Sequence, residues 1–258
     1  NVIDPLELID QYGADAVRFT LTSQEVQARR ALRLAPAQVE GGRNFGTKLW
    51  NAARFAEMNN CAVPAGYDPL ALTQTVNKWI VGETARAKAA LDGALEQYRF
   101  NDAANALFMH VRRVFCDWYV EFAKPLLQGE DEEARAETQA TMAWALEQCL
   151  ILLHPIMPFI TEDLWAKTAN RDGWLMHADW PDYGDIADAA ADAEMAWVIG
   201  LIEQVRSVRS ELNVNAGAKT PLVLMDMSGE ALARFERNAV LIQRLARIEG
   251  VSMADQGA

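Results

Sequence analysis

Between Thr73 and Leu153 apolar residues return every three or four positions, and this period decides what the chain can fold into. The first run is Val76, Ile80, Ala87, Leu91, Leu95 and Tyr98. The second is Ala104, Leu107, Phe108, Val111, Val114, Phe115, Trp118 and Phe122, and the third is Met142, Leu146, Cys149, Leu150 and Leu153. Such spacing draws one apolar stripe down a helix, whereas a half-buried strand alternates residue by residue. Long stripes joined by short connections bury each other best as an antiparallel helix bundle. Asn101 is the expected cap of the second helix. Glu130 to Glu133 lie where the third begins, at the end whose dipole favours negative charge, and His154–Pro155 stops it.

The flanks read differently. Asp4, Pro5 and Glu7 have the spacing of a capped helix start, and Gly13 can end that helix. A second short helix is expected from Asp15 to Thr22, then a charged connector carrying Pro36, then a helix around Asn44. Beyond Pro158 a short helix covers Phe159–Thr168, an acidic loop runs from Asn170 to Asp192, and another helix covers Ala193–Leu212. There the period changes. Thr220–Met225, "TPLVLM", reads as a strand, Ala231–Ile248 as a helix with Gly250 just past its end, and "VSMA" as a second strand. The expected fold is mainly α, an antiparallel bundle with a small C-terminal α/β appendage, divided at 1–38, 39–170 and 171–258.

Of the 258 residues 51% are apolar, enough for a sizeable core. No apolar run nears the roughly 20 residues of a membrane span, and no secretory signal is evident. Cys61, Cys116 and Cys149 are solitary, and His110, His154 and His177 lack metal-ligand spacing. Neither a disulfide framework nor a metal site is expected, and the reading is a cytoplasmic protein. The net charge of −12 argues against nucleic acid, but it is segregated. Gly129 to Glu194 holds 15 acidic and 3 basic residues, and the rest of the chain is neutral. From Gln27 to Asn60 six cations (Arg29, Arg30, Arg33, Arg43, Lys48, Arg54) face only Glu40 and Glu57.

That cationic stretch contains "EGGRNFGTKLWNAARF", Glu40 to Phe55. A phosphate-gripping loop needs lysine directly behind its last glycine and a strand before the loop. Here Gly46-Thr47-Lys48 transposes lysine and hydroxyl, and "RLAPAQVE" makes a poor strand. On a helix, Asn44, Lys48, Asn51 and Phe55 fall near one line, with Arg43, Thr47 and Arg54 beside it. Phe45, Leu49, Ala52, Ala53 and Ala56 gather opposite, available for packing. Two readings stand. Either a neighbouring helix covers Phe55 and the polar residues are a solvated face, or cations hold phosphates, amides read base edges and the ring stacks on an unpaired base.

The segments "RNFGTKLWNAARF", "NVIDPLELIDQYGADAVRFTL", "FCDWYVEFAKPLL" and "LHPIMPFITEDLW", with "VRSELNV" further on, resemble the valyl-tRNA synthetase family, in the same order. The resemblance implies the anticodon-binding part of a class I aminoacyl-tRNA synthetase that joins valine to its tRNA using ATP and Mg. It implies that this chain follows the K-M-S-K-S loop, without the catalytic and editing domains. It should then be inactive alone, hold no cofactor, and have valine tRNA and the catalytic domain of its own parent chain as partners, as a monomer. Anticodon contacts carry over to Lys48, Arg54 and Phe55; geometry adds Arg43, Asn44 and Asn51. Residues 1–38 match the stem-contact region, where Arg29, Arg30 and Arg33 would touch phosphates. Many family members carry bulkier residues at the glycines of "EGGRNFG", which leaves the helix start there open. A protein-interaction scaffold using the Phe55 face, and a nucleotide hydrolase built on the transposed loop, are the alternatives. Trp118, Tyr119 and Phe122 read as packing and His154 as a satisfied histidine. Asp117 and Glu121 form an i, i+4 carboxylate pair with no sugar cleft to serve.

Overall fold

In the computed structural model, which describes residues 4–24 and 34–254, the chain opens as its capping residues dictate. Asp4 Oδ1 accepts the Leu6 N–H at 2.9 Å and Pro5 occupies the first turn of α1 (Pro5–Tyr12). Gly13 ends it at φ 89°, a left-handed value that suits a residue without Cβ, and opens α2 (Ala14–Thr22). The chain divides into two compact units, Asn1–Ala187, which includes these helices, and Asp188–Ala258.

Helix α3 (Pro36–Met58) corrects two expectations. Pro36 does not lie in a connector; it starts the helix, where its missing N–H costs nothing. Gln38 Oε1 accepts the Ala35 N–H at 2.9 Å and closes that end. The helix therefore begins well before Asn44 and runs through Gly41 and Gly42. A Cβ on Gly42 would stand 2.8 Å from the Ala16 carbonyl oxygen and 3.1 Å from Thr20 Oγ1, so this glycine lets α3 lie directly against α2.

The three apolar stripes form the bundle. Helix α4 (Thr75–Glu96) is followed after a three-residue turn by one continuous rod. The rod is α-helical over Phe100–Phe108 (α5), π-helical over Met109–Tyr119, and α-helical again over Val120–Gln128 (α6). Its cap is Arg99 rather than Asn101, because the first turn begins two residues earlier than the polar signal indicated. Helix α7 (Glu132–Leu153) starts at Asp131, whose side chain accepts the Ala134 N–H at 3.0 Å. The rings of Phe115, Tyr119 and Phe122 are fully buried with Ile80, Leu107 and Leu146. Through this apolar core runs a satisfied polar chain. Tyr119 Oη donates to Asn77 Oδ1 at 2.9 Å, and Asn77 Nδ2 donates to Thr138 Oγ1 at 3.1 Å and Glu137 Oε1 at 2.9 Å. Glu137, on α7, also accepts the Thr73 and Gln74 N–H groups and so closes the start of α4 from another helix.

Helix α8 (Pro158–Thr168) is fixed by α2. Asp15 accepts the N–H groups of Phe159 at 3.2 Å and Ile160 at 2.6 Å, and Arg18 donates to the carbonyls of Pro155 and Ile156 at 3.0 Å each. A 3₁₀ turn at Leu175–His177 lies in the stretch beyond.

The second unit holds α9 (Ala189–Glu211), β1 (Thr220–Met225), α10 (Gly229–Ala246) and β2 (Ile248–Ala254). The strands pair in parallel, Leu222 opposite Val251 and Leu224 opposite Met253, which makes the expected β-α-β unit. Its helix ends on Arg247 in the left-handed conformation, φ 58°, so Gly250 belongs to β2 and not to a cap. The fold is thus mainly α, a bundle with a small α/β appendage. Among the described residues no helix is long and apolar enough to cross a membrane.

Candidate nucleic-acid interface

Helix α3 sorts its residues as the projection requires. Phe45, Leu49, Ala52, Ala53 and Ala56 are buried, while Arg43, Asn44, Thr47, Asn51 and Arg54 are exposed. Gly46-Thr47-Lys48 lies wholly inside the helix, with Thr47 Oγ1 donating to the Arg43 carbonyl at 3.1 Å. No loop remains there to cradle a phosphate. Asn44, Asn51 and Arg54 make no hydrogen bond or ion pair among the described residues. Arg43 has one long contact, 3.4 Å to the Gln11 carbonyl.

Lys48 and Phe55 are half-buried, and each meets the rod. Lys48 Nζ is 2.9 Å from Asp117 Oδ1, and the same carboxylate takes Arg112 at 3.3 Å and Arg113 at 3.8 Å. One negative charge thus holds three positive ones, and the cluster keeps a positive excess. Lys124 Nζ lies 5.6 Å from the Phe55 ring centroid and 2.5 Å from Glu121 Oε1. Phe55 is therefore neither sealed in the core nor standing bare; the Lys124 ammonium shares its face.

The facing wall comprises Arg112, Arg113, Asp117 and Lys124, of which only Asp117 was singled out from the sequence, as half of a carboxylate pair with Glu121. Its only signal there was Arg113–Asp117 at i, i+4; the other pairings depend on how the rod meets α3. Arg29, Arg30 and Arg33 lie outside the described residues. Cys116 sits beneath this wall, and burial pushes its thiol up to about 12, which leaves no thiolate for nucleophilic chemistry. Trp118 is half-buried and stacks on Phe122 at 5.4 Å, while Tyr119 and Phe122 are core. His154 ends α7 with Nδ1 2.8 Å from Thr161 Oγ1, and burial holds it below the usual histidine range although Glu162 and Asp15 pull the other way.

The model of the family described as anticodon-binding domain of tRNA ligase matches residues 77–224, more than half of the chain. The chain belongs to this family. Its similarity runs to valine–tRNA ligases: it is 56% identical to the one from Cereibacter sphaeroides over 98% of its own length, 54% to that of Ruegeria pomeroyi over 99%, and 50% to that of Caulobacter vibrioides over 99%. It spans 26%, 26% and 29% of those proteins. A crystal structure of an Agrobacterium radiobacter K84 LeuRS in ternary complex with tRNA and LeuAMS shares the fold, with a TM-score of 0.55 and 14% identity over 99% of this chain and 30% of that one. Helix α3 precedes the stretch matched by the family model; the valine–tRNA ligases extend across it.

Proposed function

We propose that this chain reads the anticodon of valine tRNA for a valine–tRNA ligase, and that the polar face of α3 is the reading surface. Lys48, Arg43 and Arg54 engage phosphates, Asn44 and Asn51 meet base edges, and Phe55 carries an unpaired base in place of Lys124. The carrying observation is that α3 presents unpartnered amides and a cation beside a half-buried ring, opposite a second cationic wall. Membership of an anticodon-binding family supports assigning that surface to RNA.

The mechanism is recognition rather than bond-making. Phosphate contacts contribute salt-dependent affinity and set orientation, while stacking and edge contacts discriminate. In the whole ligase the anticodon contact would orient the tRNA for a catalytic domain in the same chain that activates valine with ATP and Mg, in the cytoplasm. Among the described residues no group of three His, Cys, Asp or Glu side chains could hold a metal, and the transposed glycine stretch is helical. Residues 1–38 would form the stem contact, with Arg29, Arg30 and Arg33 toward the phosphates.

Titration with a valine tRNA transcript and an anticodon-altered one, at two salt concentrations, tests the proposal. Preference for the native anticodon, lost in Phe55→Ala, supports it. Equal binding of both transcripts by wild type and variant refutes it and favours an interaction scaffold.

A further inference from the structure

Beside the face just described lies a cavity of about 420 Å³, lined at the end of α2 by Ser23 and Gln24, on α3 by Gln38, Gly41 and Asn44, and on the rod by Phe108 and Arg112. That volume is within the roughly 300–1,000 Å³ of small-ligand pockets. One side is aromatic: Phe19, Phe45 and Phe108 pack with centroids 4.9, 5.3 and 6.1 Å apart, and Phe108 is the half-buried ring of the three. The rest is polar: Thr20, Ser23 and Gln38 are engaged with nearby backbone groups, whereas Gln24, Asn44 and Arg112 keep hydrogen-bonding groups to spare. The side-chain amides of Gln24 and Asn44 make no hydrogen bond among the described residues, and Arg112 spends one N–H on Asp117 and keeps the others. An apolar ligand would waste these groups, and a bare anion would leave the aromatic side unused. A flat heteroaromatic ring with donors and acceptors on its rim uses both.

The cavity is also continuous with the proposed RNA surface. Arg112 reaches the same Asp117 oxygen that Lys48 holds, and Asn44 belongs to both. We infer that this cavity receives one unpaired nucleobase of the bound tRNA, stacked toward Phe108, with Gln24 and Asn44 on its edge and Arg112 at its base or phosphate. The inference rests on the anticodon reading above and adds to it a second, separate base site.

Gly41 provides the test. A Cβ there meets nothing within 4 Å, so a large side chain can be carried at the cavity's lining without a clash at its Cβ. Binding of the valine tRNA transcript is measured for the whole chain as wild type, Gly41→Trp, Gln24→Ala and Lys48→Ala. Gly93→Trp, at an equally open glycine on α4, serves as the control. One lost base stack is expected to lower affinity about tenfold in Gly41→Trp, with a smaller loss in Gln24→Ala and none in Gly93→Trp. In a transcript scanned with single abasic nucleotides, one position should weaken wild type about tenfold and leave Gly41→Trp unchanged. If Lys48→Ala weakens binding while Gly41→Trp and Gln24→Ala bind as wild type, the cavity takes no base and the anticodon reading stands. If Lys48→Ala is also without effect, both fall together.

Discussion

The Lys124 ammonium lies 5.6 Å from the centre of the Phe55 ring, so the aromatic platform on α3 already carries a cation. A base arriving on that ring must displace Lys124, and Lys124 then has a phosphate to move to. Phe55→Ala should therefore weaken tRNA binding about tenfold, the scale of one base stack. Lys124→Gln should instead flatten the dependence of log affinity on log salt by about 0.7, the loss of one single-strand phosphate contact. Titrations from low to moderate salt separate the two effects.

Asp117 neutralises one of three cations, Lys48, Arg112 and Arg113. Asp117→Asn releases all three to the RNA. The expected result is tighter binding at low salt, a steeper salt dependence, and less distinction between native and altered anticodons. The stability cost should stay at or below about 1 kcal/mol, since these pairs are partly exposed. Fluorescence anisotropy and denaturant unfolding of the same variant check both halves.

Adjacent glycines on α3 should respond in opposite senses. Gly42→Ala places its methyl 2.8 Å from the Ala16 carbonyl oxygen and should destabilise by about 1–3 kcal/mol as α2 and α3 are forced apart. Gly41→Ala meets nothing and should stabilise by about 0.5–1 kcal/mol, because alanine loses less backbone freedom in a helix. Urea midpoints of the two variants give the comparison.

His110 is fully buried in the π-helical segment, and burial, aided by the Arg86 charge, lowers its pKa to about 4. Thr84 Oγ1 donates to the Ile80 carbonyl at 2.8 Å, so the 3.3 Å contact with His110 Nε2 is a donation from the ring. The Nδ1 lone pair is left without a partner among the described residues. Between pH 6.5 and 4 the unfolded chain takes up a proton that the folded chain refuses. Stability should therefore fall by up to about 3 kcal/mol as the pH drops through that window. His110→Leu should remove this component; melting temperatures of both proteins across pH 4 to 7 measure it.

The helices were legible because their apolar stripes persist over many turns, and β1 because "TPLVLM" breaks that period. The π-helical segment was not. Over Met109–Tyr119 the same apolar residues serve a ladder of i to i+5 hydrogen bonds as readily as an α-helix. Pro36 was ambiguous, since proline suits a connector and a first helical turn alike, and the choice came from Gln38 closing onto Ala35. The polar line on α3 could be drawn from spacing alone. The opposing wall could not, because Lys48 and Asp117 are distant in sequence and meet only when the rod crosses α3. Lys124 on Phe55 is hidden for the same reason, and with it the ring's partial cover.

The role of the α3 face is tested most directly at Phe55 itself. Replacing Phe55 with a photo-crosslinking phenylalanine derivative and irradiating the complex with valine tRNA should join the protein to a nucleotide of the anticodon loop. Adducts confined to the acceptor arm, or the same adduct yield from a tRNA lacking its anticodon arm, would contradict the account.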